Sequence, residues 1–343
     1  MTKKLNTAII GLGPHGMRMV ISVMQNDSLK LVAVVDRDDS KLNQETITQS
    51  GAIKTKELSE IWKLNIDFLL IATNGPSHFA ISKEAIQNNV KYLLISKPMT
   101  TSVEDAMEIN KLAKENNVRV CVDHILRYDE TYQWIKLQVI NKKWGELRRL
   151  YLQRPGIGLG CLGVHSFDLA NYLTGLYPQN ITGWLDKPRG KNPRGEHFVD
   201  PGGLVVIDYG NGVKATVDQI EDGSGPAITE LVFNHARVRV DEKNNILEVV
   251  EKDATFIPGP NKKPPLTRNI NPHQLDVKHD MIELLGKLIN ELISLDSIIS
   301  DGLTGQNTIE ILVAAYISND LGNIPVKLPL TKQEFLERKL NIT

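Results

Sequence analysis

The sequence predicts an α/β protein that opens on a doubly wound parallel sheet and continues into a second, mostly antiparallel sheet flanked by helices. Three observations carry this. The first third of the chain alternates short apolar runs with amphipathic stretches of helical length. A glycine-rich turn follows the first of those runs. From residue 181 onward, strand-like segments succeed one another with turn residues between them. At ~150 residues per domain the 343 residues make about two domains, divided here as 1–123 and 124–343.

In chain order, the apolar runs are TAII (7–10), LVAVV (31–35), DFLLIAT (67–73), YLLIS (92–96) and VRVCV (118–122). They are β-branched or leucine-rich without alternation, as strands buried on both faces are. SKLNQETITQS, SHFAISKEAIQNN and SVEDAMEINKLAKENN lie between them. Each reads as a helix with an N-cap serine (Ser40, Ser77 and Ser102), and Asp105 makes the last close to a capping box. DHILRYDETYQWIKLQVINKK reads as a helix crossing to the second part, and GELRRLYLQRPG as a strand. HSFDLANYLTG reads as a helix closed by Gly175. ITGWL, GLVVIDYG, GVKATVDQI, ITELVFN, ARVRVD and ILEVVE form a meander, punctuated by Gly210-Asn211-Gly212 and by residues 241–245. FIPGPNKKPPLTRNINPHQ is too rich in Pro and Asn for regular structure and is expected to be an extended loop. It leads to helices near 274–293 and 304–319.

Composition narrows the function. A net charge of −1 gives no electrostatic reason to expect nucleic acid or an anionic membrane as partner. No apolar run approaches the ~18 residues of a membrane span, and the start MTKKLNTAIIG does not resemble a secretory leader. A cytoplasmic protein is expected. Cys121 and Cys161 are too few for a disulfide scaffold or a cysteine zinc site, and no metal is expected.

Gly11, Gly13 and Gly16 have G-x-G-x-x-G spacing within TAIIGLGPHGMRMVI, between a strand and a helix. Asp36 lies twenty residues past Gly16, at the end of the next strand. In that context the glycines bring the backbone of Leu12, Pro14 and His15 up to a pyrophosphate, and Asp36 accepts from ribose hydroxyls. The Asp36 carboxylate repels a 2′-phosphate and so favours NAD, whereas Arg37 beside it would admit NADP. Thr73, Asn74 and His78 stand at the carboxyl end of the next central strand. They read either as cofactor contacts or as ordinary loop and cap chemistry. Lys97 ends the following strand before Pro98. By itself it reads equally as a solvated lysine at a turn or as an ammonium aimed into the same crevice.

In GCLGVHSFDLAN, helical spacing puts Cys161, His165 and Asp168 on one face. The plain alternative is a half-buried histidine with a small apolar thiol beside it. Arg127 and Arg154 flank the cleft in chain order as candidate anion clamps. The insertion DKPRGKNPRGEHFVDPGG carries Lys187, Arg189, Lys191 and Arg194. It reads as a phosphate-receiving loop, a solvated loop or a subunit contact.

GLGPHG, VVDRD, ATNGPSH, SKPMTTSVEDA, GCLGVHSFDLANYLTG and SDGLTGQNTIEILVAAYIS, in this order, together resemble the glucose–fructose oxidoreductase/inositol dehydrogenase (Gfo/Idh/MocA) family. The resemblance implies a Rossmann domain followed by an α+β domain whose large open sheet makes a homodimer or homotetramer. The carbohydrate substrate then sits between the domains. The family's Glu-Lys-Pro falls on Ser96-Lys97-Pro98, which makes Lys97 the catalytic lysine, with Ser96 and Lys97 on the cofactor side. Its Asp-x-Gly-x-His falls on residues 161–165, which makes His165 the general acid/base and adds Cys161 and Asp168 as candidate substrate contacts to Arg127 and Arg154. Ser96 and Cys161 replace two acids. A thiol beside an imidazole, unlike a carboxylate, does not raise its pKa, so His165 is expected to be less basic than in relatives. The implied activity is NAD(P)-dependent hydride transfer to or from a carbohydrate or sugar derivative, nucleotide-linked and amino sugars included. The alternatives are a catalytically altered cofactor-binding sensor and an NAD-recycling eliminating glycosidase.

Overall fold

The computed structural model describes residues 3–342 apart from 157, 188–191, 193, 222, 254, 258, 261, 272–279 and 295–296. Six parallel strands form the first sheet: β1 (Leu5–Ile10), β2 (Leu29–Val35), β3 (Ile53–Thr55), β4 (Phe68–Ile71), β5 (Tyr92–Ile95) and β6 (Arg119–Val122). Their order is β3-β2-β1-β4-β5-β6. The strand order therefore reverses between the parallel neighbours β1 and β4, and a ligand crevice opens outside the carboxyl ends of those two strands. Helices of eight residues or more are numbered. The first three, α1 (Pro14–Met24), α2 (Gly75–Gln87) and α3 (Val103–Glu115), connect these strands.

Two of the three N-cap expectations are corrected. Only Ser102 caps as expected, its hydroxyl accepting from the Asp105 N–H. The segment around Ser40 breaks into two short helices, Asp39–Leu42 and Glu45–Ser50, with Asp38 as the first cap. α2 begins at Gly75, two residues before Ser77, with Asn74 at its N-cap.

After α4 (Glu130–Ile140) comes the second sheet. Its strands are β7 (Leu147–Pro155), β8 (Asn180–Leu185), β9 (Gly203–Asp208), β10 (Lys214–Ile220), β11 (Ile228–Phe233), β12 (Ala236–Asp241), β13 (Ile246–Lys252), β14 (Leu266–Ile270) and β15 (Val326–Lys327). The order β14-β13-β12-β11-β7-β10-β9-β8-β15 is antiparallel throughout except at the central β7–β10 pair. Burial alternates strictly along β10 and β11, so one face packs while the other is open. β14 falls within the stretch read as an extended loop. Its LTRNI segment is mostly exposed, so hydrophobic pattern gives no signal there, and pairing with β13 orders it instead.

α5 (Val164–Thr174) and α7 (Gly302–Asp320) cover the packed face, and α7 also lies against α3 and β6 of the first layer. α6 (Met281–Ser294) does not stay with the second sheet. Its Leu284, Leu285, Leu288, Ile289 and Leu292 share a core with Leu12, Met19, Val20 and Val23. At ~1.5–3 kcal/mol for each fully buried aliphatic side chain, this stripe is a substantial part of the first layer's stability. A division at residue 123 leaves that returning helix out of account.

Candidate active site at the carboxyl ends of the first sheet

The glycine turn separates two kinds of glycine. Gly11 has φ +90°, and a Cβ there would lie 2.6 Å from the Ala72 carbonyl oxygen; at Gly16 it would lie 1.9 Å from that of Gly11. Both are required by the protein's own packing. At Gly13 a Cβ would meet nothing within 4 Å. That open space lies at the N-cap of α1, where Pro14 is the first helical residue. No side chain caps the helix there and no acid lies in its first turn. The free N–H groups and the helix dipole suit an anion. Beside them the Asp36 carboxylate accepts from the Leu12 N–H at 2.7 Å and the Asp38 N–H at 3.0 Å, with Lys41 Nζ at 3.6 Å. Arg37 is exposed. These residues fit a dinucleotide.

At the end of β4, Ser77 Oγ donates to Thr73 Oγ1 at 2.7 Å, while Asn74 is exposed. His78 is not a surface contact. Its fully buried ring lies 2.8 Å from the Pro98 carbonyl and 3.0 Å from that of Thr73, clamping α2 to the two strand ends. The expectation that it touches cofactor is corrected, because the buried ring is enclosed between two backbone carbonyls, one of which takes its single N–H.

Ser96 is buried, and its hydroxyl has no partner among the described residues. Lys97 is half-buried and crosses to the second half of the chain. Its Nζ donates to the Cys161 carbonyl at 2.5 Å and lies 3.9 Å from Cys161 Sγ. Cys161 sits in a π-helical turn, Gly158–Gly163, that runs straight into α5. His165, in the first turn of α5, is also half-buried. Burial first, then the Lys97 charge, holds its imidazole well below the usual histidine range, with His124, Arg154 and His15 acting in the same direction. The imidazole is therefore neutral at neutral pH, in the form that accepts a proton.

The expected anion clamps are corrected. Arg127 donates from Nε and Nη2 to the Asp168 carboxylate at 2.7–3.0 Å, and also to the Ile299 carbonyl. Arg154 forks onto Glu242 at 2.6 and 2.9 Å and donates to Ser166 Oγ. Each guanidinium is neutralised by a carboxylate inside the fold, and Asp168 is 1% exposed. The helical face shared by Cys161, His165 and Asp168 thus divides: the first two border Lys97, and the third serves a buried ion pair. Of the basic insertion, Arg189 and Lys191 lie outside the described residues, while Lys187 and Arg194 are exposed.

Sequence reasoning missed three groups. Asp123 and His124 follow β6 directly, and both are 1% exposed. Asp123 pairs with His15 of the glycine turn, and neither His124 ring nitrogen has a hydrogen-bond partner among the described residues. Burial lowers the His124 pKa although Asp168 acts against it. The strand-end rule that selected ATNGPSH also selects this pair. The third is Asp200, whose carboxylate accepts from the N–H groups of Gly160 at 2.7 Å and Cys161 at 2.8 Å. Burial raises its pKa to about 6. Lying in an insertion that drew notice only for its cations, it gave no signal. Among the described residues, no group of three or more His, Cys, Asp or Glu is placed to hold a metal ion, and no helix is long and apolar enough to cross a membrane.

Comparison with known proteins supplies context for this geometry. Residues 5–124 match the GFO_IDH_MocA oxidoreductase family, described by its NAD-binding Rossmann fold. An uncharacterized oxidoreductase of Synechocystis is 28% identical over 199 residues, 51% of this chain and 53% of that protein. The inositol 2-dehydrogenase/D-chiro-inositol 3-dehydrogenase of Halalkalibacterium halodurans is 27% identical over 231 residues, 62% of this chain and 64% of its own. The chain thus matches less than two thirds of either relative's length. In fold, the WlbA dehydrogenase of Bordetella pertussis, solved with NADH and UDP-GlcNAcA, superposes with a TM-score of 0.76 at 19% identity. That match covers 96% of this chain and 100% of the other.

Proposed function

From the match of residues 5–124 to the Gfo/Idh/MocA oxidoreductase family, we propose that the chain is a member of that family and an NAD-dependent dehydrogenase or reductase of a carbohydrate or sugar derivative. The single observation that carries the reading is the junction of the two halves at Lys97. The ammonium reaches the turn that leads into His165, beside the crevice at the strand ends.

In this reading the N-terminus of α1, with the backbone N–H groups of Gly13 and His15, holds the pyrophosphate beside Leu12 and Pro14, and Asp36 takes the ribose hydroxyls. When bound, the nicotinamide supplies or removes the hydride. Lys97 keeps its bond to the Cys161 carbonyl and turns another Nζ–H to the substrate oxygen, where it stabilises developing alkoxide charge. His165, neutral at physiological pH, takes the hydroxyl proton on a ring nitrogen and returns it in the reverse direction. Named carbohydrate activities among the relatives, inositol dehydrogenation included, support a polyol or sugar as substrate. The open face of the second sheet carries Tyr151, Trp184 and Leu204, 43%, 42% and 37% exposed. It is the surface on which a second copy would pack.

Lys97→Met tests the mechanism. The variant should bind NAD within about twofold of wild type and lose roughly 10²–10³ of kcat, the range of one charge-stabilising donor. Wild-type turnover by a variant that still binds NAD would remove Lys97 from the reaction. A wild-type protein that binds NADH yet oxidises none of it across a panel of keto sugars and imines would favour the sensor reading.

A further inference from the structure

Resting on the reading above, we infer that Asp200 is the positioning residue of this centre: its carboxylate grips the Gly158–Gly163 turn and thereby holds the Cys161 carbonyl that seats the Lys97 ammonium. One oxygen takes the Gly160 N–H and the other the Cys161 N–H, so a single side chain fixes two consecutive peptides immediately before the carbonyl that Lys97 uses. The turn is shaped to that carboxylate. A Cβ at Gly158, where φ is +57°, would fall 2.1 Å from Asp200 Cγ. At Gly160 it would fall 2.8 Å from Ile342 and 3.1 Å from Asp200 Oδ1.

A purely structural anchor does not need a charge here. The Leu159 N–H already donates to the Pro201 carbonyl at 2.9 Å, tying the same two segments with neutral backbone. Val199, in turn, donates to the Asn341 carbonyl at 2.7 Å, so the Asp200 segment is held from behind as well. A carboxylate 5% exposed is costly unless its charge is used. The cations acting on it are Lys97, from the β5–α3 connection, and Arg194, on its own segment. The Tyr316 hydroxyl on α7 is a further titratable neighbour, and the turn itself presents the backbone N–H groups of Gly160 and Cys161. The negative charge therefore serves the ammonium one peptide away.

Protonating Asp200 turns one of its acceptor oxygens into a donor facing an N–H. One of the two bonds is lost, the turn loosens, and Lys97 loses its seat. The elevated pKa of about 6 places this change just below neutrality, whereas His165 titrates well below its ordinary value. The acid limb of kcat is thus assigned to Asp200.

The test uses Asp200→Asn and Gly160→Ala in the full chain, the second disturbing the same turn without altering the acid. Kcat, KM for NAD and the pH profile are measured alongside the alkylation rate of Cys161 by iodoacetamide, with no cofactor or substrate present. Cys121, fully buried, is the internal control. Asp200→Asn should lower kcat about 10–100-fold, leave KM for NAD within about twofold and abolish the acid limb near pH 6. Both variants should speed Cys161 alkylation by roughly tenfold or more through loosening of the turn. Retention of the acid limb by Asp200→Asn, even with lower kcat and lower melting temperature, would reduce Asp200 to a structural anchor and overturn the inference. So would unchanged alkylation in both variants. The alkylation arm needs no turnover: if no carbohydrate is processed at all, the dehydrogenase reading fails while Asp200's hold on the turn is still decided.

Discussion

Gly13→Ala separates a ligand cradle from a turn that merely needs glycine. Gly13 has φ −64° and ψ 179°, ordinary extended backbone, and an added methyl meets nothing within 4 Å. Alanine is a somewhat poorer N-cap than glycine, by about 0.5–1 kcal/mol. The more restricted unfolded chain returns about 0.4–1 kcal/mol. The free protein should therefore melt as wild type does, within about 0.5 kcal/mol. The two neighbouring glycines behave differently: Gly11→Ala combines φ +90° with a backbone clash, and Gly16→Ala meets a carbonyl at 1.9 Å. Each should lose roughly 2–4 kcal/mol without any ligand.

With NAD the order changes. At 100 times Kd the ligand adds about 2.7 kcal/mol to the wild type. If the methyl weakens binding ~30-fold, the same concentration is only about threefold above the new Kd and adds roughly 0.9 kcal/mol. Thermal melts with and without NAD, with Kd from calorimetric titration, read both quantities. A Gly13→Ala protein that melts normally and gains the full wild-type increment from NAD would refute the assignment of the α1 N-terminus to pyrophosphate.

Other perturbations probe the arginines, the pH response and the open sheet. Removing one partner of the buried Arg127–Asp168 pair, as in Asp168→Asn, should cost about 3–5 kcal/mol in urea unfolding, while Arg127→Met/Asp168→Leu should recover most of it. A single variant that instead keeps its stability and raises only substrate KM would return these residues to the substrate site. His78, His124 and His165 are all held below their ordinary pKa by burial. Their contribution is intact above about pH 6.5 and is lost as pH falls, because the unfolded chain then takes up protons the native state refuses. Asp200, raised to about 6, works the opposite way and gains as pH drops through that value. Three groups against one give a net slope of at most about 2.7 kcal/mol per pH unit, with stability falling from pH 7 to 5. Urea midpoints that rise over that interval would contradict the balance. Trp184→Asp should shift the mass measured by light scattering to that of a smaller species if copies meet on the open face, and an unchanged mass would place the subunit contact elsewhere.

The sequence carried the strand–helix alternation because strands β1, β2, β4, β5 and β6 are buried enough to read as unbroken apolar runs. It missed β3 and β14 for the opposite reason. One has three residues and the other is largely exposed, so pairing alone defines them. Lys97 and Cys161 were legible as motifs, yet their meeting was not, since 64 residues of chain separate them. Arg127 and Arg154 show the limit of residue type as evidence. An arginine's partner decides its role, and Glu242 lies 88 residues from Arg154. The capping serines failed at 40 and 77 because a nearby Asp or Asn took the position first, two or three residues earlier.

The helix that comes back from the far end of the chain has a practical corollary for anyone wishing to cut the protein in two. A fragment ending at residue 123 would present Met19, Val20 and Val23 to water in place of Leu284, Leu285, Leu288, Ile289 and Leu292. Such a piece is expected to be sticky and weakly folded. A nucleotide-binding module for biophysics is better built by joining the first segment to 281–294 through a flexible spacer. The same interlock means that any opening of the cleft must pivot around that helix, because the two halves are not free to swing apart on a single linker.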